Sequence, residues 1–149
     1  MIRQLKPGEA APLELLLTAD PERDMIESYL PHSLCCVLED ERVVIGVYVL
    51  RPLHAQAAEI VNIAVLEERQ GQGYGKQLIA HAIQTAHSSG YQTLHIGTGN
   101  SSIMQLALYQ KCGFRVTGID HDFFTRNYTS PIYENGILCR DMIKLELQL

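Results

Sequence analysis

The segment Gln70-Gly71-Gln72-Gly73-Tyr74-Gly75-Lys76 places three glycines at alternate positions, followed directly by a lysine. Glycine lets a backbone turn sharply and approach a ligand closely. Successive N–H groups at the start of a helix bind phosphate, helped by the helix dipole. This turn therefore reads as a pyrophosphate cradle. The charge distribution agrees with it. Residues 1–68 carry twelve carboxylates and five basic side chains, whereas residues 69–119 carry no Asp or Glu but do carry Arg69, Lys76, Lys111 and Arg115. A locally positive middle third in a chain of net charge −5 suits an anionic ligand. A partner surface or chance is the alternative.

Two common phosphate-binding patterns do not fit. A P-loop requires Ser or Thr after its lysine and a glycine five positions before it, but Gln77 follows Lys76 and Gly71 is preceded by Gln70. A dinucleotide fingerprint requires G-x-G-x-x-G and an acidic residue about 20 positions on. The spacing here is G-x-G-x-G, and the next carboxylate is Asp120.

The turn must be held between a strand and a helix, and the pattern supplies both. Ala57 to Val65 reads as a strand. Leu78, Ile79, Ala82, Ile83 and Ala86 recur at helical spacing, and Ser88-Ser89-Gly90 supplies a stop. Upstream, Ile2 to Leu5 reads as a short strand, 10–18 as a helix, and Asp20-Pro21 as the cap of a second helix reaching Tyr29. Leu34 to Glu39 and Arg42 to Leu50 form a predicted hairpin across Asp40-Glu41. Downstream come a strand over 92–97, a helix capped by Asn100-Ser101-Ser102 with Lys111 in its last turn, a strand from Phe114 to Ile119, an irregular aromatic stretch over 120–135, and a closing strand from Ile137 to Leu149. The expected order is β-α-α-β-β-β-α-β-α-β-β. This is an α/β (α+β) fold, a six- to seven-stranded mixed sheet flanked by about four helices, in one domain over 1–149.

At this point the chain resembles the GNAT superfamily of N-acetyltransferases. Gln70, Gly73 and Gly75 fill the acyl-CoA motif Q/R-x-x-G-x-G/A. Ala58 to Val65 resembles the strand leading into it, and Leu108-Tyr109-Gln110-Lys111-Cys112-Gly113-Phe114 resembles the L-Y-x-K-x-G-F signature. The likeness is specific over 58–115, and the element order extends it to nearly the whole chain.

The resemblance implies acetyl-CoA as co-substrate, with its pyrophosphate on the backbone of Gln70, Gly71, Gln72, Gly73, Tyr74 and Gly75 and with Lys76 nearby. The backbone of Ile63, Ala64 and Val65 would pair with the pantetheine arm, in a gap where this strand splays from the next. A family asparagine facing the cofactor falls at Asn100 or Ser102. Tyr109 matches the tyrosine that faces the CoA sulfur and would protonate the leaving thiolate; packing in the core is its alternative. Glu59, fourteen residues before Gly73, matches the general base of the histone-acetyltransferase branch. Its apolar neighbours predict a buried, proton-accepting carboxylate; a structural or solvent-facing glutamate is the alternative. An alkylammonium must lose a proton before it attacks, so a base is required.

Asn62 reads either as a substrate contact or as a hydrogen-bonded core amide. His54, His95 and His121 are further bases by type, with nothing in the sequence to pair them with a carboxylate. The aromatic stretch 121–134 is expected to wall the acceptor site, with Asp122 and Glu134 attracting a cationic amine.

Other features set limits. Cys35, Cys36, Cys112 and Cys139 lack metal-ligand spacing, and the adjacent pair should point to opposite faces of a strand. No metal is expected. No apolar run reaches the ~20 residues of a membrane span, and no secretory h-region opens the chain, so a cytoplasmic protein is expected. Net negative charge argues against nucleic acid. The expected activity is acetyl transfer to a primary amine, with a small-molecule acceptor favoured. A peptide acceptor, a longer acyl-CoA, a non-catalytic acyl-CoA sensor and a homodimer remain as alternatives.

Overall fold

Residues 43–50 are mostly β-branched, and they build the long strand against which both layers of the molecule pack. A computed structural model describes residues 1–149. In chain order its elements are β1 (Ile2–Gln4), α1 (Leu13–Ala19), α2 (Arg23–Tyr29), β2 (Leu34–Asp40), β3 (Val43–His54), β4 (Ala57–Val65), α3 (Tyr74–Ser88), β5 (Thr93–Gly99), α4 (Ile103–Lys111), β6 (Arg115–Asp120), α5 (Phe123–Asn127), β7 (Tyr133–Glu134), β8 (Ile137–Leu138) and β9 (Met142–Gln148). Seven strands make one sheet in the order β1-β2-β3-β4-β5-β9-β6, and β7 with β8 forms a separate small hairpin.

Two cores cover the two faces. On one, Leu78, Ile79, Ala82 and Ala86 of α3 are buried with Tyr48, Ile60, Ile96, Tyr109 and Leu145. The spacing of those α3 residues is the helical stripe read from the sequence. On the other, Leu15, Leu16, Ile26 and Tyr29 of α1 and α2 pack on Val37, Val47, Val49 and Ala64. Cys36 belongs to the first core and Cys35 to the second, as strand alternation requires. Burial pushes the Cys35 thiol up to about 12.

The β4–β5 pair is the one parallel contact, and it is short. Ala57, Ala58, Glu59 and Ile60 face Thr93, Leu94, His95 and Ile96, and the pairing stops there. On its other edge β4 stays paired with β3. There Leu50 faces Ile60 and Val49 faces Asn62, so Val61 is an extra, bulged residue. A bulge bends its strand and increases the local twist. The bend begins where β4 leaves β5, and from Val61 onward the two strands part.

Several boundaries moved from those expected. α1 starts at Leu13, behind Pro12. α2 starts at Arg23, and Asp20 does not cap it. Its carboxylate accepts the Glu22 N–H at 3.2 Å and two tyrosine hydroxyls instead. Ser102 does occupy the N-cap position of α4 without bonding the helix, because its hydroxyl donates to Glu134 at 2.7 Å. The stretch 120–135 contains α5, and the closing strand begins at Met142 because the β7–β8 hairpin intervenes.

Leu78 is fully buried beneath Gly46 and anchors α3 to the sheet. Leu78→Ala is expected to lower stability by about 2–5 kcal/mol in urea unfolding, the cost of transfer plus cavity.

Candidate active site

The turn before α3 offers donors that the protein leaves unused. Gly71 and Gly73 hold φ of +76° and +88°, a region open to glycine. The amides of Gly71, Gln72 and Gly73 donate to no acceptor in the chain, and the first helical bond runs from Gln77 N–H to the Gly73 carbonyl at 3.1 Å. The first-turn amides of Tyr74, Gly75 and Lys76 therefore also lack partners in the helix. A Cβ built on Gly71 or Gly73 would meet nothing within 4 Å, so the space over the turn is open. Of the nearby cations, Arg69 is bound to Asp40 at 2.8 Å, while Lys76 forms no ion pair. The Gln70 side chain donates to the Val65 carbonyl at 3.1 Å and ties the turn to the end of β4.

That bond also shows which way β4 faces. Leu66 N–H donates to Ile45 O at 2.9 Å, so the alternation of an antiparallel ladder turns Ala64 toward β3 and turns Ile63 and Val65 toward the gap. Of the three residues expected to offer backbone to a ligand, Ile63 and Val65 reach the open edge and Ala64 does not. The same parting leaves Tyr109 in the core with Ile60 and Ile96, the last paired residues of the two strands. Burial pushes its phenol pKa up, so Tyr109 keeps its proton at neutral pH.

On the opposite face lies a cavity of about 440 Å³, within the range of small-molecule sites. Glu59, Ile60 and Val61 of β4, His95 to Gly97 of β5 and Met142, Lys144 and Leu145 of β9 contribute to its floor. Asp20, Met25 and Tyr29 form one wall, and Phe123 and Tyr128 form another. The aromatic stretch thus reaches the cavity, but Asp122 is held by Arg140 at 2.6 Å and Glu134 by Ser102 and Ser101. The amine-attracting role expected of those two carboxylates does not match this arrangement.

Glu59 also differs from expectation. It is part-exposed and forms an ion pair with Arg51, so it does not sit in apolar surroundings. Cross-strand register sets Arg51, Glu59, His95, Glu146 and Arg115 side by side on five neighbouring strands. His95 Nδ1 lies 3.4 Å from Glu146. His54 is an exposed residue at the strand end, and His121 lies 3.7 Å from Asp141 outside the cavity. Asn62 is buried and donates to Leu16 O at 3.1 Å and Tyr29 Oη at 3.0 Å, which is the core-amide reading. Its Oδ1 and the Nε of Arg51 are buried without partners.

Asn100 is engaged by backbone. It donates to Leu138 O at 3.1 Å and accepts from Arg140 and Asp141 at 2.7 and 2.9 Å. Its amide stitches β5 to the segment entering β9, and the Ser102 hydroxyl is spent on Glu134. The residues that sequence reasoning missed are Asp20, Tyr29, Arg51 and Lys144. Asp20 looked like a helix cap, and the other three carried no motif.

No three His, Cys, Asp or Glu side chains gather as a metal site, and no helix is long and apolar enough to cross a membrane.

Residues 7–114 match the acetyltransferase (GNAT) family. The uncharacterized N-acetyltransferase YvbK of Bacillus subtilis is 54% identical over 91% of this chain and 88% of its own length. The crystal structure of a GNAT family acetyltransferase from Elizabethkingia anophelis with acetyl-CoA bound superposes with a TM-score of 0.98 at 46% identity, covering 100% of this chain and 97% of that one. A protein described as IAA acetyltransferase from Bacillus cereus ATCC 14579 gives 0.97 at 50% identity, covering 100% and 99%.

Burial raises the phenol pKa of Tyr29, Tyr48, Tyr109 and Tyr128 above the ordinary value near 10. The unfolded chain then loses those protons first as pH rises. Their stabilisation is complete below about pH 10 and is lost as pH climbs toward the folded-state values. Denaturant midpoints measured between pH 8 and 11 should fall steeply above about pH 10.

Proposed function

This chain belongs to the GNAT acetyltransferase family, and we propose that it moves the acetyl group of acetyl-CoA to the primary amine of a small molecule held in the cavity. The observation that carries this reading is the parting of β4 from β5 beyond Ile60 and Ile96. The Ile63 and Val65 edge and the unpartnered amides of the glycine turn lie along this opening, and the cavity adjoins it on one face. The E. anophelis relative, with acetyl-CoA bound, supports the choice of donor.

The turn fits the pyrophosphate on its own chemistry. The unused amides of Gly71 to Lys76, the helix dipole and the free Lys76 ammonium all favour an anion, and the space over Gly73 is open. Bound acetyl-CoA would supply a thioester carbonyl and a thiol leaving group. Glu59 takes the proton that the acceptor ammonium must lose. The freed nitrogen forms its bond to the carbonyl carbon, and the C–S bond breaks. Backbone N–H groups on the open edge of β4 stabilise the charge that gathers on the carbonyl oxygen. Tyr109, protonated at neutral pH, gives its proton to the departing sulfur. Arg51 holds the Glu59 carboxylate in place on the cavity floor. Asn100 acts on the same site by tying the end of β5 to the segment that enters β9, and Ser102 ties the start of α4 to β7.

Purified protein with acetyl-CoA and a panel of amines, followed by product mass spectrometry, tests the reading. Glu59→Gln and Tyr109→Phe are each expected to lower kcat about tenfold or more. Unchanged turnover in Glu59→Gln would remove Glu59 as the proton acceptor. Gly73→Ala forces a left-handed alanine, costs about 1–2 kcal/mol, and should weaken acetyl-CoA binding measured by calorimetry.

A further inference from the structure

Six cavity-lining side chains other than tyrosine carry an acidic or basic group: Asp20, Arg51, Glu59, His95, Asp120 and Lys144. Four are matched within the protein. Arg51 pairs with Glu59, His95 lies beside Glu146 at 3.4 Å, and Asp120 meets Arg126 at 2.9 Å. Asp20 and Lys144 are left over, with opposite sign.

Asp20 is 8% exposed. It accepts from Tyr128 Oη at 2.9 Å, Tyr29 Oη at 3.3 Å and the Glu22 amide at 3.2 Å. These neutral donors orient the carboxylate but leave its charge uncancelled. A carboxylate taken from water without a counter-ion is costly, so a cation arriving there gains more than it would on the surface. Tyr128 comes from more than a hundred residues along the chain to meet Asp20, which makes this a built corner.

Lys144 has no carboxylate within ion-pair distance. Its neighbours on the flanking strands are Gly97 and Gly118, and the Met142 side chain lies over Gly97 beside it. Met142, two residues before it on the same strand face, lines the cavity with it. Met25, Leu53, Val61, Phe123 and Met142 supply the apolar lining.

From this charge count we infer that the acceptor is a small zwitterion: a primary amine carrying an anionic group on the same molecule, as amino acids do. Its ammonium faces Asp20, its anionic group faces Lys144, and its apolar body lies against the residues between. The inference rests on the acetyl-transfer reading above and narrows its substrate class. Asp20 fixes the ammonium within the same cavity as Glu59, which removes the proton. Nitrogen then gains the acetyl group and CoA leaves as the thiol.

The test compares phenylalanine, leucine and methionine with their methyl esters and decarboxylated amines, and with aminoethyl phosphate, all with acetyl-CoA. The free amino acids are expected to exceed esters and amines in kcat/KM by tenfold or more, mostly through KM. That preference should shrink to about parity in Lys144→Ala, a change at an exposed residue that the fold tolerates. Asp20→Asn should raise KM for every amine about tenfold. Preference for aminoethyl phosphate, lost in Lys144→Ala, would support the inference with phosphate as the anionic group. Equal kcat/KM for charged and uncharged amines in the wild type would overturn it. So would a Lys144→Ala loss shared equally by all of them. Failure to bind acetyl-CoA in calorimetry would instead overturn the acetyl-transfer reading, and this inference with it.

Discussion

Four residue pairs join β4 to β5, and then Val61 bulges and the strands separate. Most other features of the site depend on that parting. A continuous parallel pair would occupy the Ile63 and Val65 backbone groups with β5 and leave no edge for a ligand. The bulge lets β4 keep its full antiparallel contact with β3 while turning away from β5. The sheet therefore stays intact on one side and opens on the other. The Gln70 side chain then fastens the glycine turn to Val65 at the far end of the same strand, so strand edge and turn form one surface.

The two faces of the sheet divide the work. α3 and α4 cover one face with an apolar core that keeps Tyr109 dry and protonated. α1, α2 and α5 stand over the other, where the floor is polar. There the strands set Arg51, Glu59, His95, Glu146 and Arg115 in one rung, and opposite charges on adjacent strands stabilise each other. Tyr29 links this floor to the helical wall, since it donates to Asp20 and accepts from Asn62 just beyond the bulge.

Much of this was legible in the chain. The helical stripe of α3, the glycines ending α3 and α4 at positive φ, the hairpin and the seven strands follow from local period and turn chemistry. The glycine turn was legible because it is a backbone feature, and glycine spacing reports backbone directly. Legibility failed where one side chain had two competing partners. Asp20 and Ser102 sit where caps should sit, yet distant tyrosines and Glu134 claim them. Glu59 has apolar sequence neighbours, but its spatial neighbours are Arg51 and His95. The β7–β8 hairpin was divided, with β7 read as part of the irregular stretch 120–135 and β8 as the start of the final strand.

The sequence by itself determined the order of the main elements, the glycine turn and the family. Each of these is encoded over a few consecutive residues, where propensity and spacing act locally. The tertiary structure alone decided which charges meet. It brought Tyr128 to Asp20, placed His95 between Glu59 and Glu146, left Lys144 between two glycines, and spent Asn100 on backbone far along the chain. Those outcomes depend on strand register and on contacts spanning tens of residues, and a one-residue slip in register would reverse every face.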